Sequence, residues 1–207
     1  MIIDETLKKF ITECDIEVPL FYRHSGKTIR FNFVPYTLEE AHVLSREILT
    51  YIFENKDFLY CLYGEIKIPE KRLKRYIKGI PNKIHCIDYR SLWQDGDDMF
   101  YNYDNVSFVE VSPNTFNFNK FAGDINYTRD SNEFLISLKE KFAVHYYDNR
   151  GMDVFSVDNE DLLESLKTRF EQHPYWYPQG VSEEERIEAF NCFCELFPYL
   201  RRKEKSE

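Results

Sequence analysis

EFLISLKEKFAVHYYDNRGMDVFSV, residues 133–157, decides the fold of this chain. Its three runs EFLISL, FAVHYY and MDVFSV are rich in β-branched and aromatic residues, and KEK and DNRG separate them with turn-forming residues. EFLISL alone is ambiguous: Phe134, Ile136 and Leu138 alternate as in a strand, while Phe134, Leu135 and Leu138 also suit a helix. The turn and the second strand-like run that follow select the strand. At DNRG, Asp148 and Asn149 favour turn entry, and Gly151 takes positive φ without steric cost. A type I turn closed by a left-handed glycine, a three-residue connection with a bulge, joins the second run to the third. The stretch predicts a three-stranded antiparallel meander.

Working outward, Leu7, Phe10, Ile11 and Cys14 recur at helical spacing within residues 4–15. VPLFYRHSGKTIRFNFV, residues 18–34, predicts a hairpin turned at Ser25-Gly26. Thr37 and Glu40 form a capping box ahead of a helix whose buried face is Val43, Leu44, Ile48, Tyr51 and Ile52. DFLYCLYGEI, residues 57–66, reads as a buried strand ended by Gly64. PEKRLKRYIKGIP, residues 69–81, predicts a short helix with Lys71, Lys74, Arg75 and Lys78 on one face and Leu73, Tyr76 and Ile77 on the other. The pattern weakens over 79–105, the place where the chain would subdivide, and leaves IHCIDYR as a short strand; VSFVEV, at 106–111, is another by alternation. Helices over 159–172 and 183–197 follow the meander, the second capped by Ser182 with Glu185, and HPYWYPQG joins them. The expected fold is α+β: an antiparallel sheet, made of an N-terminal hairpin and a C-terminal meander, packed with several helices in a single domain spanning 1–207.

The charge balance narrows the partners. With 27 Lys and Arg against 36 Asp and Glu, the net charge of −9 repels phosphate backbones, disfavours nucleic acid and attracts a basic protein. The aromatic share of 17% is high, and part of it suits an interface. MIIDETLKKFITECDI lacks the unbroken apolar run of a signal peptide, and no segment reaches the roughly 20 apolar residues of a bilayer span, so a cytoplasmic location without membrane contact is expected. The five cysteines, Cys14, Cys61, Cys86, Cys192 and Cys194, form no CxxC pair and read as buried free thiols. Neither a metal nor a cofactor is expected.

Two stretches invite a functional reading. Near DNRG, His145, Asp148 and Asp153 offer acid–base groups, with Arg150 placed to pair with either aspartate. Alternation along a strand puts His145 and Asp148 on opposite faces, and no other His, Ser or Cys motif joins them. A structural turn with a charge cluster is therefore preferred to a hydrolase. WQDGDDMFYNYDN, residues 93–105, carries Asp95, Asp97, Asp98 and Asp104 among Trp93, Phe100, Tyr101 and Tyr103. Its spacing is not that of an EF-hand loop, which ends its ligand ladder in Glu. As an acidic loop with aromatic anchors it also suits a basic protein surface, while an ordinary solvated loop is preferred to either reading. The basic stripe at 71–78 reads as a solvated helix face.

The residues Tyr147, Asp148, Arg150, Gly151 and Asp153, followed by a helix with Leu162, Leu163 and Leu166 and then the YWY segment, resemble a bacterial family of unknown function with a Tyr-Asp-x-Arg-Gly-x-Asp signature. Members usually carry an acidic residue where Asn149 stands. The resemblance covers residues 133–190, is fainter over 18–60 and is absent between 65 and 130. It implies no catalytic role. The family is similar in genre to the immunity proteins of bacterial toxin systems, which implies a cytosolic, non-enzymatic protein that binds a cognate, basic toxin domain and blocks its active surface. An interaction or scaffold domain is the alternative, and a hydrolase using the His145–Asp153 region is a third. The acidic segment Trp93–Asp104, lying outside the region of resemblance, is the expected partner surface.

Overall fold

The computed structural model describes residues 2–14, 27–33, 35–79, 83–95, 98–124, 133–148, 151–173 and 175–176. In chain order these form α1 (Ile2–Cys14), β1 (Thr28–Asn32), α2 (Leu38–Ile52), β2 (Phe58–Tyr63), α3 (Glu70–Tyr76), β3 (His85–Asp95), β4 (Asp98–Val111), α4 (Phe118–Gly123), β5 (Glu133–Ser137), β6 (Phe142–Asp148), β7 (Gly151–Ser156), α5 (Glu160–Arg169) and β8 (Tyr175–Trp176). The strands make one eight-stranded sheet in the order β3-β4-β2-β5-β6-β7-β1-β8, and every pairing is antiparallel. The fold is α+β. Contacts group the chain into two units, Met1–Tyr177 and Pro178–Glu207, and all of these elements belong to the first.

The meander stands as β5-β6-β7, with Phe134 opposite His145 and Val144 opposite Val154. Its second turn is tighter than the three-residue connection expected. Asp148 pairs with Gly151, and the register shifts between Tyr146 and Asp148, so the irregularity lies on β6 before the turn. Residues 149–150 lie outside the described residues, as do the first strand of the expected N-terminal hairpin and the helix over 183–197 with its Ser182–Glu185 cap. The second strand of that hairpin is β1, and its place is at the far side of the meander, between β7 and β8.

Alternation divides the sheet into two faces, and helices cover both. On one face Ile29, Phe31, Tyr60, Leu62, Leu135, Val144 and Val154 pack with Leu44 and Ile48 of α2, Leu73 of α3, Phe121 of α4 and Leu166 of α5. On the other, Leu7, Phe10 and Ile11 of α1 meet Cys61, Phe108, Phe134, Ile136 and Phe155. Strands covered on both sides lose the polar face of an ordinary antiparallel strand. Accordingly all five residues of β5 and all six of β7 are buried, charged ones included. Much of the aromatic content is core: Phe53 lies 4.3 Å from Phe58 and 5.3 Å from Phe142 between ring centroids, and Tyr60, Tyr76, Phe116 and Phe121 cluster beside them.

Local chemistry explains the helix boundaries. Thr37 caps α2 with the full capping box: Glu40 N–H donates to the Thr37 hydroxyl, and the Glu40 carboxylate accepts from Thr37 N–H at 2.8 Å. Asn159 caps α5 by accepting from Leu162 N–H. Asn117 does the same for α4, whose Phe118, Phe121 and Ala122 fall at helical spacing. β2 ends at Gly64, which turns at φ 78°, a conformation costly for other residues. Helix α3 stops at Tyr76 because Ile77 leaves as extended backbone to bridge Phe116.

Candidate functional site

The signature stretch is built into the sheet interior. His145 on β6 faces Asp153 on β7 across the pair, and Asp153 faces Arg30 on β1. Arg30 donates through Nε to Asp153 Oδ1 at 2.7 Å and through Nη2 to Oδ2 at 2.9 Å, a bidentate fork. The His145 ring stacks on Phe134 at 4.2 Å with 13° between planes. Exposure is 0% at His145 and Asp153 and 8% at Arg30, so a substrate atom reaches this row only if the sheet opens. The structure thus brings together two of the four residues that a hydrolase would use, His145 and Asp153, and closes them in. Arg150 lies outside the described residues, and Asp148 is placed only as the last residue of β6. The charge that meets Asp153 is Arg30, which the sequence reading passed over. Its signal was a lone cation in TIRFN, on the opposite side from Ile29 and Phe31.

The acidic segment is not a loop. Trp93 and Asp95 lie on β3, and Asp98, Phe100, Tyr101, Tyr103 and Asp104 on β4. The register runs from His85 opposite Phe108 out to Asp95 opposite Asp98, with Trp93 opposite Phe100 and Tyr89 opposite Asp104. Only residues 96 and 97 separate the paired ends, so Asp97 lies in the connection, outside the described residues. Aromatic residues favour extended backbone, and the sequence Gly96-Asp97 is a hairpin turn signal that the density of carboxylates obscured. Among the described residues β2 pairs with β4 over Val106–Tyr63 to Val111–Phe58, with Gly64 N–H donating to the Asn105 carbonyl just beyond, so the stretch of β4 from Asp98 to Asp104 pairs with β3 alone. The two strands form an arm running past the body of the sheet, from its edge.

A third place was missed. An open groove of about 460 Å³ is lined by Tyr36, Glu39, Glu40, Val43, Leu44 and Glu47, with His173 beyond the end of α5 as its far wall. Tyr36 Oη and His173 Nδ1 are hydrogen-bonded at 2.9 Å, which fixes that wall. Val43, expected in the core, is 39% exposed here, while Leu44, Ile48 and Ile52 are buried. The Glu40 carboxyl is held below its usual pKa by the Thr37 backbone N–H and then by the Thr37 hydroxyl.

The remaining candidates are engaged structurally. On α3, Lys74 pairs with Glu70 and Arg75 with Asp124, so two of the four cations of the basic stripe are matched by acids, and Arg72, outside that stripe, donates to the buried Glu133 at 2.7 Å. Cys61 is buried as expected, and burial pushes its thiol pKa far up, which makes it unreactive. Cys86 departs from the expectation by being exposed. Among the described residues no group of three or more His, Cys, Asp or Glu side chains is placed to hold a metal ion, and no helix is long and apolar enough to cross a membrane.

A family described as a domain of unknown function (DUF3885) matches residues 3–177. The match ends where the first structural unit ends, at Tyr177, and it includes residues 65–130, where the sequence resemblance saw nothing. The arm of β3 and β4 is thus part of the family's own fold, and its choice as partner surface no longer rests on lying outside it. No curated protein and no solved structure matches the chain.

Proposed function

The chain belongs to the DUF3885 family, and on that premise we propose that it is a non-catalytic binding protein of the immunity type, which captures a basic toxin domain and covers its active surface. The observation that carries the reading is the β3–β4 arm: an extended hairpin at the sheet edge, carrying Trp93, Asp95, Asp98, Phe100, Tyr101, Tyr103 and Asp104 beyond the strands that anchor it. Two-stranded ribbons are marginally stable alone, so partner contacts along such an arm add order as well as affinity. The sealing of His145 and Asp153 in the sheet supports binding over hydrolysis.

Mechanistically, the net charge of −9 draws a basic partner and speeds encounter, while aromatic side chains set the residence time. Inhibition is then stoichiometric occlusion with no turnover. The test is to express the C-terminal domain encoded by the adjacent gene, with and without this protein, and to follow cell survival. Rescue is expected, and it is expected to fail when Asp95, Asp97 and Asp98 are replaced by Ser in a protein with an unchanged melting temperature. If no neighbouring product is toxic or none binds, the immunity reading fails and a general interaction domain takes its place.

A further inference from the structure

The groove lies along α2. Its floor is apolar, Val43 and Leu44, and three of its lining residues are Glu while none is Lys or Arg. The exposed large hydrophobic residues among those described are Leu38, Val43 and Ile66, and two of these three stand on α2. Glu39, Val43 and Glu47 follow one another at intervals of four, so on a helix they form a single stripe with an acid at each end and an apolar residue between. At 1.5 Å rise per residue the two acids stand about 12 Å apart along the axis. Among the described residues, the nearby cations leave that charge largely in place. Arg46 reaches Glu47 only at 3.9 Å with both side chains well exposed, and the Arg169 guanidinium lies over the Tyr51 ring at 4.8 Å.

We infer that this groove is a docking site for a basic amphipathic helix of a partner protein. The occupant that fits carries a Lys or Arg at i, a Leu, Ile or Met at i+4 and a second Lys or Arg at i+8, the charge complement of Glu39, Val43 and Glu47. Helix-in-groove recognition uses this kind of spacing, with the apolar residue as anchor and the flanking charges fixing register. Exposed ion pairs contribute little singly. Leu44 is already buried, so covering the exposed part of Val43 supplies the apolar anchor, and the acids supply the choice of a cationic helix. The Tyr36–His173 hydrogen bond holds the far wall at a fixed distance from α2, so the groove is formed before the helix arrives. This inference goes beyond the arm reading, because it involves no residue of β3 or β4.

The probe is a fluorescein-labelled helical peptide about 18 residues long, past the length at which isolated helices become stable, with Lys at i and i+8 and Leu at i+4 in an Ala/Gln background. Fluorescence anisotropy with the full chain is expected to show saturable binding that weakens as salt rises from 0.1 M to 1 M, over which the Debye length falls from about 10 Å to about 3 Å. Glu39→Gln with Glu47→Gln, and separately Val43→Ser, are each expected to weaken binding about tenfold at an unchanged melting temperature. A peptide with Glu in place of the two Lys is expected not to bind. The inference is overturned if the cationic peptide fails to bind, if the Glu peptide binds as well, or if either variant binds like the parent protein. Displacement of the peptide by spermine at matched charge concentration also overturns it, since that is the behaviour of a simple cation site.

Discussion

Replacing Asp153 by Ala tests how the signature stretch holds the fold. Asp153 is 0% exposed, and the Arg30 side chain is 9% exposed. The substitution leaves a guanidinium in the sheet interior with neither of the two hydrogen bonds that Asp153 accepts. Removing one partner of a buried pair costs about 3–5 kcal/mol, because the remaining charge stays desolvated and loses that partner's compensation. A direct estimate agrees: opposite charges about 4 Å apart at an effective dielectric constant near 20 attract by about 4 kcal/mol. A domain of ordinary stability has only about 5–15 kcal/mol to lose. In urea, with a slope near 3 kcal/mol per M, the midpoint should fall by roughly 1 M or more. Substituting both partners, Arg30→Met with Asp153→Leu, should recover most of the loss, since well-packed apolar residues often replace a buried pair at no cost. The reasoning is refuted if Asp153→Ala costs less than about 1 kcal/mol, or if the double substitution is no more stable than the single one.

Two further substitutions probe the core and the start of α2. Phe53→Ala should cost about 3–5 kcal/mol in the same urea assay, since Phe53 is 0% exposed and its ring meets Phe58, Phe118 and Phe142; a cost below about 2 kcal/mol would mean the site collapses around the void. Thr37→Ala should cost about 1 kcal/mol by removing the cap. The Thr37 backbone N–H, which alanine keeps, lowers the Glu40 pKa most, and the Thr37 hydroxyl, which alanine lacks, lowers it further; the hydroxyl's share is present above the ordinary glutamate range and fades as pH falls through the lowered value. The difference between wild type and Thr37→Ala should therefore shrink in acid, and a difference that grows there would contradict the capping box.

What could be read from the chain in advance depended on how far the determining contacts reach. The β5-β6-β7 meander and the Thr37–Glu40 box were legible because the residues that make them are neighbours in sequence. TIRFN was legible as a strand, but not its place, because the pair that anchors it, Arg30 with Asp153, spans 123 residues. β3 and β4 were obscured by composition: the carboxylates of residues 95–104 favour a loop on average, and the aromatic residues beside them win once the register is formed. Val43 illustrates a different limit. Its spacing from Leu44 and Ile48 suits a buried helix face, yet it lies at the boundary of that face, where the packing of neighbouring elements decides exposure. The groove it lines was illegible for the same reason as β1, since Tyr36 and His173 come together from 137 residues apart.

The position of β1 between β7 and β8 also sets a schedule for the chain as it is made. At a synthesis rate of about 5–20 residues per second, the 123 residues separating Arg30 from Asp153 take roughly 6–25 s to appear. Throughout that interval TIRFN has no β7 to pair with, while β5, β6 and β7 need only their immediate neighbours. The nascent protein therefore carries a strand near its beginning, with Ile29 and Phe31 on one side, that lacks its final neighbours until almost the whole first unit has emerged. Through that strand another chain, or a chaperone, has an extended opportunity to engage it.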